Sequence, residues 1–213
     1  MNLSLTILES DSQIKSLILA QIKNIIDNSI SKSIPRITND IKVAVALALK
    51  AEPEYQSLIS GELKAELGIP DAGQVDRVID LMLDTLKINL LPIKIGSFGL
   101  SGGFELTMLE SSNLGGVISA SPAYVTDIKG YSLPWLEWLC LRNNEIIVRN
   151  FEVKYGPSPN SRSGMAIMVP SANSWRVPPA FVGSSDRNWT TRAIERVESQ
   201  VYSIIQKNIE ANI

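Results

Sequence analysis

Asn144-Glu145-Ile146-Ile147-Val148-Arg149-Asn150-Phe151-Glu152-Val153-Lys154-Tyr155 is the stretch that decides the fold class. Ile147, Phe151, Val153 and Tyr155 share one parity while Asn150, Glu152 and Lys154 take the other, which is the period of a strand with one face toward a core. Gly156, Pro157, Pro159, Asn160 and Gly164 follow as turn residues, and Met165 to Val169 can return as a partner strand, so a long hairpin is expected. The loop is longer than a tight turn and is expected to project outward. Beyond it a helix from near Asn188 toward Ile209 is marked by Ile194, Val197, Val201, Ile204 and Ile205, with Asp186 or Asn188 as its cap. That helix is expected to pack on its own domain.

Upstream the texture is helical. Behind a cap at Asp11 or Ser12, Ile14, Leu17, Ile18, Ile22, Ile25, Ile26 and Ile30 recur at three- and four-residue spacing, predicting a helix that ends near Pro35. A second helix from about Ile37 to Leu49 has so little polar surface that most of its circumference should be covered. Pro53 and Pro70 bracket a shorter one through Leu58, Ile59, Leu63 and Leu67, and Asp71 can cap a fourth through Val75, Val78, Ile79, Met82, Leu83 and Leu86. Of 13 aromatic residues only Tyr55 precedes Phe98, and of nine arginines only Arg36 and Arg77 fall in the first half. The chain therefore reads as α+β, with an N-terminal helical bundle over residues 1–95. Residues 96–213 form a β-rich region with the long hairpin and a C-terminal helix.

Gly96, Gly99, Gly102 and Gly103 surround Phe98 and Leu100. A phosphate-cradling loop would continue into Gly-Lys-Ser/Thr and a helix, whereas Phe104 to Leu109 alternate like a strand. The glycines are read as a flexible joint between the two regions.

Composition removes several chemistries. Twenty Lys plus Arg against 22 Asp plus Glu give a net charge of −2, unlike a dedicated DNA-binding domain. No histidine is present, which excludes Ser-His-Asp and Cys-His catalysis and every metal site that needs an imidazole. Cys140, the single cysteine, can form no internal disulfide and is expected to be a buried, unreactive thiol. The acid pairs Glu62/Glu66 and Asp80/Asp84 stand at i, i+4 on predicted helices and are read as solvated faces, not as metal sites. No signal peptide or membrane-spanning run is visible, and a protein that is not an enzyme and carries no cofactor is expected.

One segment is locally basic. Between Lys154 and Arg192 five basic residues (Lys154, Arg162, Arg176, Arg187, Arg192) face one acid, Asp186, a local +4. With Trp175 and Trp189 nearby this segment suits either a protein interface or contact with nucleic acid through phosphates and stacked bases, against a plain solvated surface. The candidate interface residues are Asn160, Arg162, Trp175, Arg176 and Arg187.

Four runs carry a resemblance: Pro134-Trp135-Leu136-Glu137-Trp138-Leu139; Glu145-Ile146-Ile147-Val148-Arg149; Gly156-Pro157 through Asn160-Ser161-Arg162-Ser163-Gly164-Met165-Ala166-Ile167-Met168; and Ser174-Trp175-Arg176-Val177-Pro178-Pro179. Together, over roughly residues 131–206, they resemble the C-terminal part of virion structural proteins of contractile-tailed bacteriophages. The resemblance implies a subunit of the head-to-tail neck, one of several copies forming a ring around the DNA channel between portal and tail. Its partners would be copies of itself and other neck, portal or tail proteins, with DNA passing through unbound and no membrane contact. A tail or baseplate protein, or a nucleic-acid-binding module using residues 154–192, remains as the alternative. The implied location is the virion, and the family offers no catalytic residues to carry over. Ring subunits repeat one heterologous contact, which suits protruding loops, and slight acidity keeps a channel from gripping DNA.

Overall fold

The computed structural model describes residues 10–97, 99–127 and 129–212, apart from the side chains of Ser111 and Ser112. Phe98, placed by the sequence among the glycines of the joint, lies outside them. Seven helices occur among the described residues: α1 Asp11–Ala51, α2 Pro53–Ser60, α3 Glu62–Leu67, α4 Gly73–Asp84, α5 Ser111–Ile118, α6 Trp135–Cys140 and α7 Trp189–Glu210. Six strands form three separate pairs: β1 Lys87–Gly96 with β2 Gly99–Thr107, β3 Val125–Thr126 with β4 Ser132–Leu133, and β5 Val148–Tyr155 with β6 Ala166–Trp175. The fold is α+β, as the sequence indicates.

Contacts group the chain into two units, but not at residue 95. The smaller unit takes Met1–Asp40, Lys87–Leu106 and Tyr202–Ile213, and the larger takes Ile41–Leu86 and Thr107–Val201. Both α1 and α7 contribute to each, so a boundary drawn at one point along the chain cannot describe them.

In the smaller unit the expected break at Pro35 is absent, since α1, 41 residues long, runs through it. A proline removes its own N–H and crowds the carbonyl four residues back. Here both Ser31 and Pro35 are exposed, so the carbonyl deprived of its helical partner faces water. The covered side is tied down by the end of α7. Ser29 Oγ donates to Ile209 O at 2.9 Å, Ser33 Oγ donates to Asn208 O at 2.8 Å, and Asn208 Nδ2 donates to Asp40 Oδ2 at 3.0 Å. These bonds bracket Pro35 on both sides, and they could not be read from residues 11–51 alone.

The glycine segment is likewise not a joint. Gly96 ends β1 and Gly99, Gly102 and Gly103 lie in β2. A Cβ on Gly102 would stand 2.9 Å from Ile93 Cγ1 and 3.0 Å from Ile93 Cα, so glycine there permits the close approach of β1 to β2.

The larger unit holds the main core. Ile41, Leu49, Leu58, Leu63, Leu67, Ile69, Val75, Val78, Trp135 and Trp189 are fully or almost fully buried. The helix bracketed by Pro53 and Pro70 is two helices, α2 and α3, broken at Gly61. There the α3 backbone turns back so that Leu63 N donates to Ser57 Oγ at 2.9 Å. Asp71 Oδ1 accepts from Gly73 N at 2.9 Å at the start of α4, and that bond is the main cause holding the Asp71 carboxyl below its ordinary range. Asn188 is the cap of α7. Its Oδ1 accepts from Thr190 N at 2.9 Å and Thr191 N at 3.1 Å, while Asn188 N donates to Thr191 Oγ1 at 2.8 Å.

The two most deeply buried indoles find backbone acceptors. Trp135 Nε1 donates to Pro122 O and Trp189 Nε1 to Leu49 O, each at 2.9 Å. Trp138, three residues after Trp135, is only half-buried, with the Arg142 guanidinium 5.9 Å from its ring centre.

Candidate functional site

The β5–β6 hairpin pairs antiparallel, with Val148 opposite Trp175, Phe151 opposite Pro170 and Tyr155 opposite Ala166, and a bulge between Arg149 and Phe151. Asn150 sits in the bulge at φ 61°, a conformation asparagine tolerates better than most residues. The returning strand, Ala166–Trp175, is twice the length of the stretch 165–169 in which the sequence shows it.

The loop between these strands does not project outward. Gly156 N donates to Met165 O at 2.8 Å and Ser161 Oγ donates to Ala166 O at 2.6 Å, closing it on itself. Glu66 of α3 anchors the hairpin: its Oε1 accepts from Tyr155 OH at 2.5 Å and its Oε2 from Trp175 Nε1 at 2.9 Å. Burial, and then this bond to Glu66, push the Tyr155 phenol above its ordinary range. Ser163 Oγ donates to Ala65 O at 3.5 Å. The Arg162 guanidinium lies over Gly68, the left-handed residue that closes α3 at φ 70°, where a Cβ would meet Arg162 Nε at 2.8 Å. The loop folds back because α3 presents a carboxylate, a free carbonyl and a side-chain-free cap in one row.

A groove of about 600 Å³ opens beside this loop, lined by Asn160, Ser161, Arg162, Lys129, Asp127 and Glu66 among others. Arg162 makes no hydrogen bond or ion pair to a described residue. Burial works against its charge and outweighs the opposing influence of Asp127, lowering its pKa, yet a guanidinium stays charged at any physiological pH. The result is a cation partly stripped of water, with its planar donor edge free to take a carboxylate or carbonyl oxygen.

The five residues singled out in the sequence do not form one surface. Asn160 and Arg162 share the groove. Trp175 is buried at 6% exposure, bound to Glu66, and so is not offered to a partner; this corrects its reading as an interface residue. Trp189, at 1%, is likewise unable to stack on a base. Arg176 is half-buried. Arg187 is exposed in the turn before α7, where Ser184 N donates to its carbonyl at 2.9 Å. Arg192 is committed internally.

That last residue exposes what the sequence reading missed. Glu52 and Glu54, at the start of α2, are each 2% exposed. Arg192 of α7 donates from Nη2 to Glu54 Oε1 and from Nε to Glu52 Oε2 at 3.4 Å, and Arg196 Nη2 stands 2.8 Å from Glu52 Oε1 without the alignment of a hydrogen bond. Burial opposes the Arg192 charge, but the bonds to Glu54 and Glu52 outweigh it and raise its pKa. Glu66, which the sequence reads as part of a solvated face, is half-buried, and only the polar tips of Trp175 and Tyr155 hint in the sequence that an acceptor is required. Cys140 is buried, and desolvation, with Glu54 adding, pushes its thiol up to about 12. Among the described residues no group of three or more His, Cys, Asp or Glu side chains is placed to hold a metal ion. No described helix is long and apolar enough to cross a membrane.

These features define an α+β protein with a groove of mixed charge, in which Arg162 has no partner among the described residues. Comparison of the chain with known protein families, with curated proteins and with solved structures gives no match.

Proposed function

We propose that the chain is a structural subunit of a tailed-phage virion, a ring component of the head-to-tail neck that works by position and self-association, without turnover. The reading starts from the resemblance of the four runs between residues 131 and 206. It is supported by how those runs fold. Trp135, Leu136 and Leu139 of the first run, and Trp175 and Val177 of the last, are buried in one unit, so most of the motif is scaffold. The run Gly156 to Met168 supplies the loop.

The observation that carries the proposal is Arg162. It is the one motif cation beside the groove with no partner among the described residues, its guanidinium packed against Gly68. The planar fork of a guanidinium is itself pre-organised for two parallel hydrogen bonds, so less freedom is lost per bond formed. The ligand that suits it is a carboxylate or a chain of carbonyls from a neighbouring subunit. The nucleic-acid alternative starts from the local cluster of basic residues, and burial of Trp175 and Trp189 takes from it only the base stacking.

The test is phage assembly with Arg162→Ala. The purified variant should keep the wild-type unfolding midpoint, while its incorporation into particles falls at least tenfold, about the loss of one charge-assisted contact per interface. Imaging of wild-type particles should show the chain as a closed ring. Normal incorporation of the variant would remove Arg162 from the contact, and particles lacking the chain, or holding one isolated copy, would end the neck reading.

A further inference from the structure

The apolar side of α1 in the smaller unit is wider than its own unit covers. From Leu17 through Ile14, Ile25, Ile18, Ile22 and Ile26 to Ile30, at about 100° per residue, the arc spans about 220°, twice the ~100° that seats a helix on one neighbour. One flank is occupied. Ile26 and Ile30 border a cleft with Ile93, Leu100 and Phe104 of the β1–β2 hairpin, and Ser29 and Ser33 are buried against the end of α7. On the other flank Leu17 is 64% exposed, Ile18 54%, Ile25 51% and Ile22 40%. No described residue covers them. A run of branched apolar side chains on one helix face is a contact surface more often than a solvated one.

Charge placement says what the surface fits. Asp11, Ile18, Ile25 and Lys32 stand seven residues apart, so they follow one line along the helix. Ile22 sits between the two isoleucines, which gives the four-then-three spacing of a packing seam. Asp11 and Lys32 are both exposed, and neither has an ion-pair partner among the described residues. The line is therefore acidic at its start, apolar in the middle and basic at its end. Laid antiparallel on its own copy, it brings each Asp11 to the other copy's Lys32 and each Ile18 to the other copy's Ile25, with Ile22 near the two-fold axis. Laid parallel, it would set acid on acid and base on base.

We propose that this face of α1 is a self-complementary docking surface that binds a second copy of the chain antiparallel, burying Leu17, Ile18, Ile22 and Ile25 between two Asp11–Lys32 ion pairs. The contact is isologous, so it closes at two copies. It does not depend on the virion reading and is tested on the purified chain.

Light scattering after size exclusion, over roughly 1 to 100 µM, should show a monomer–dimer equilibrium. Ile18→Glu should shift its midpoint by about 100-fold or more while leaving the helical circular dichroism unchanged. Asp11→Lys and Lys32→Asp should each weaken the dimer severalfold, and an equimolar mixture of the two variants should recover it, because each pair is then again of opposite charge. Ile22→Cys should cross-link to its own copy under mild oxidation. Ser12→Cys should not, because antiparallel helices would hold the two thiols about 28 Å apart along the axis. A chain that stays monomeric across the range, or that stays monomeric and binds lipid vesicles instead, overturns the proposal. So does a dimer that Ile18→Glu leaves intact, or one cross-linked by Ser12→Cys and not by Ile22→Cys.

Discussion

Ile41 and Leu49 of α1 are fully buried in the larger unit, whereas Leu17 and Ile18 of the same helix are 64% and 54% exposed in the smaller one. Both stretches show apolar residues at helical spacing, and from the sequence both look like core. The difference lies in what surrounds them. The second half of α1 has α2, α3, α4 and the start of α7 in its unit, while the first half has one hairpin and the last turns of α7. Periodicity reports that a helix has an apolar face; it does not report how many neighbours arrive to cover it.

That contrast is most sharply tested by removing one large side chain from each unit. Trp135→Ala deletes a fully buried indole that also bonds Pro122 O, and it should cost about 3–5 kcal/mol in urea unfolding. Ile18→Ala, measured on the chain diluted below any self-association, should stay within about 0.5 kcal/mol of wild type. Comparable losses at the two positions would mean that the stripe on α1 is already covered in the isolated chain.

A second test asks whether the larger unit is closed by charge as well as by apolar packing. Arg192→Ala would leave Glu54 buried with no donor and Glu52 with only Arg196. Removing one partner of a fully buried pair costs about 3–5 kcal/mol, but Arg192 is 26% exposed and Arg196 remains, so about 2–3 kcal/mol is expected. Thermal unfolding unchanged by Arg192→Ala would show that the carboxylates are solvated instead.

The smallest effect sits on the rim of the same unit. Asp76 pairs with Lys50 at 2.8 Å and accepts from Tyr55 OH at 3.0 Å. The Lys50 bond, opposed by burial and aided by Tyr55, holds the Asp76 carboxyl below its ordinary 3.8, while the same bond holds Lys50 above 10.5. A lowered carboxyl stabilises the fold above its unfolded value and loses that contribution as pH falls through the folded one. A raised amine contributes below its unfolded value and loses the contribution as pH rises through the folded one. The pair should therefore act across the whole range between about pH 4 and pH 10. Because both groups are 42% exposed, Asp76→Asn should cost only about 0.2–1 kcal/mol at pH 7 and less at pH 3. An equal cost at both pH values would rule out the ionic account.

The residue pattern by itself determined the elements whose cause is local. The alternation through Phe151 and Val153 specified β5, the turn residues after Gly156 specified a hairpin, and Asp186 or Asn188 marked the start of α7, because strand period, turn geometry and capping bonds act within a few residues. It also placed Cys140 inside, since the apolar run around it leaves little else. Tertiary structure alone decided the rest. Pro35 reads as a helix stop, and α1 passes through it because Ile209 and Asn208, more than 170 residues away, hold the covered side while the disrupted carbonyl meets water. Gly102 reads as a joint and is instead the point where two strands approach. Glu66 reads as part of a solvated face, and Glu52 and Glu54 give no local signal at all; the pairing of Glu66 with Tyr155 and Trp175, and of the buried Glu52 and Glu54 with Arg192, is hidden by distance along the chain. The common reason is physical: the free energy of a buried charge, an indole N–H or a bare apolar face is set by what stands opposite it, and sequence order does not record opposition.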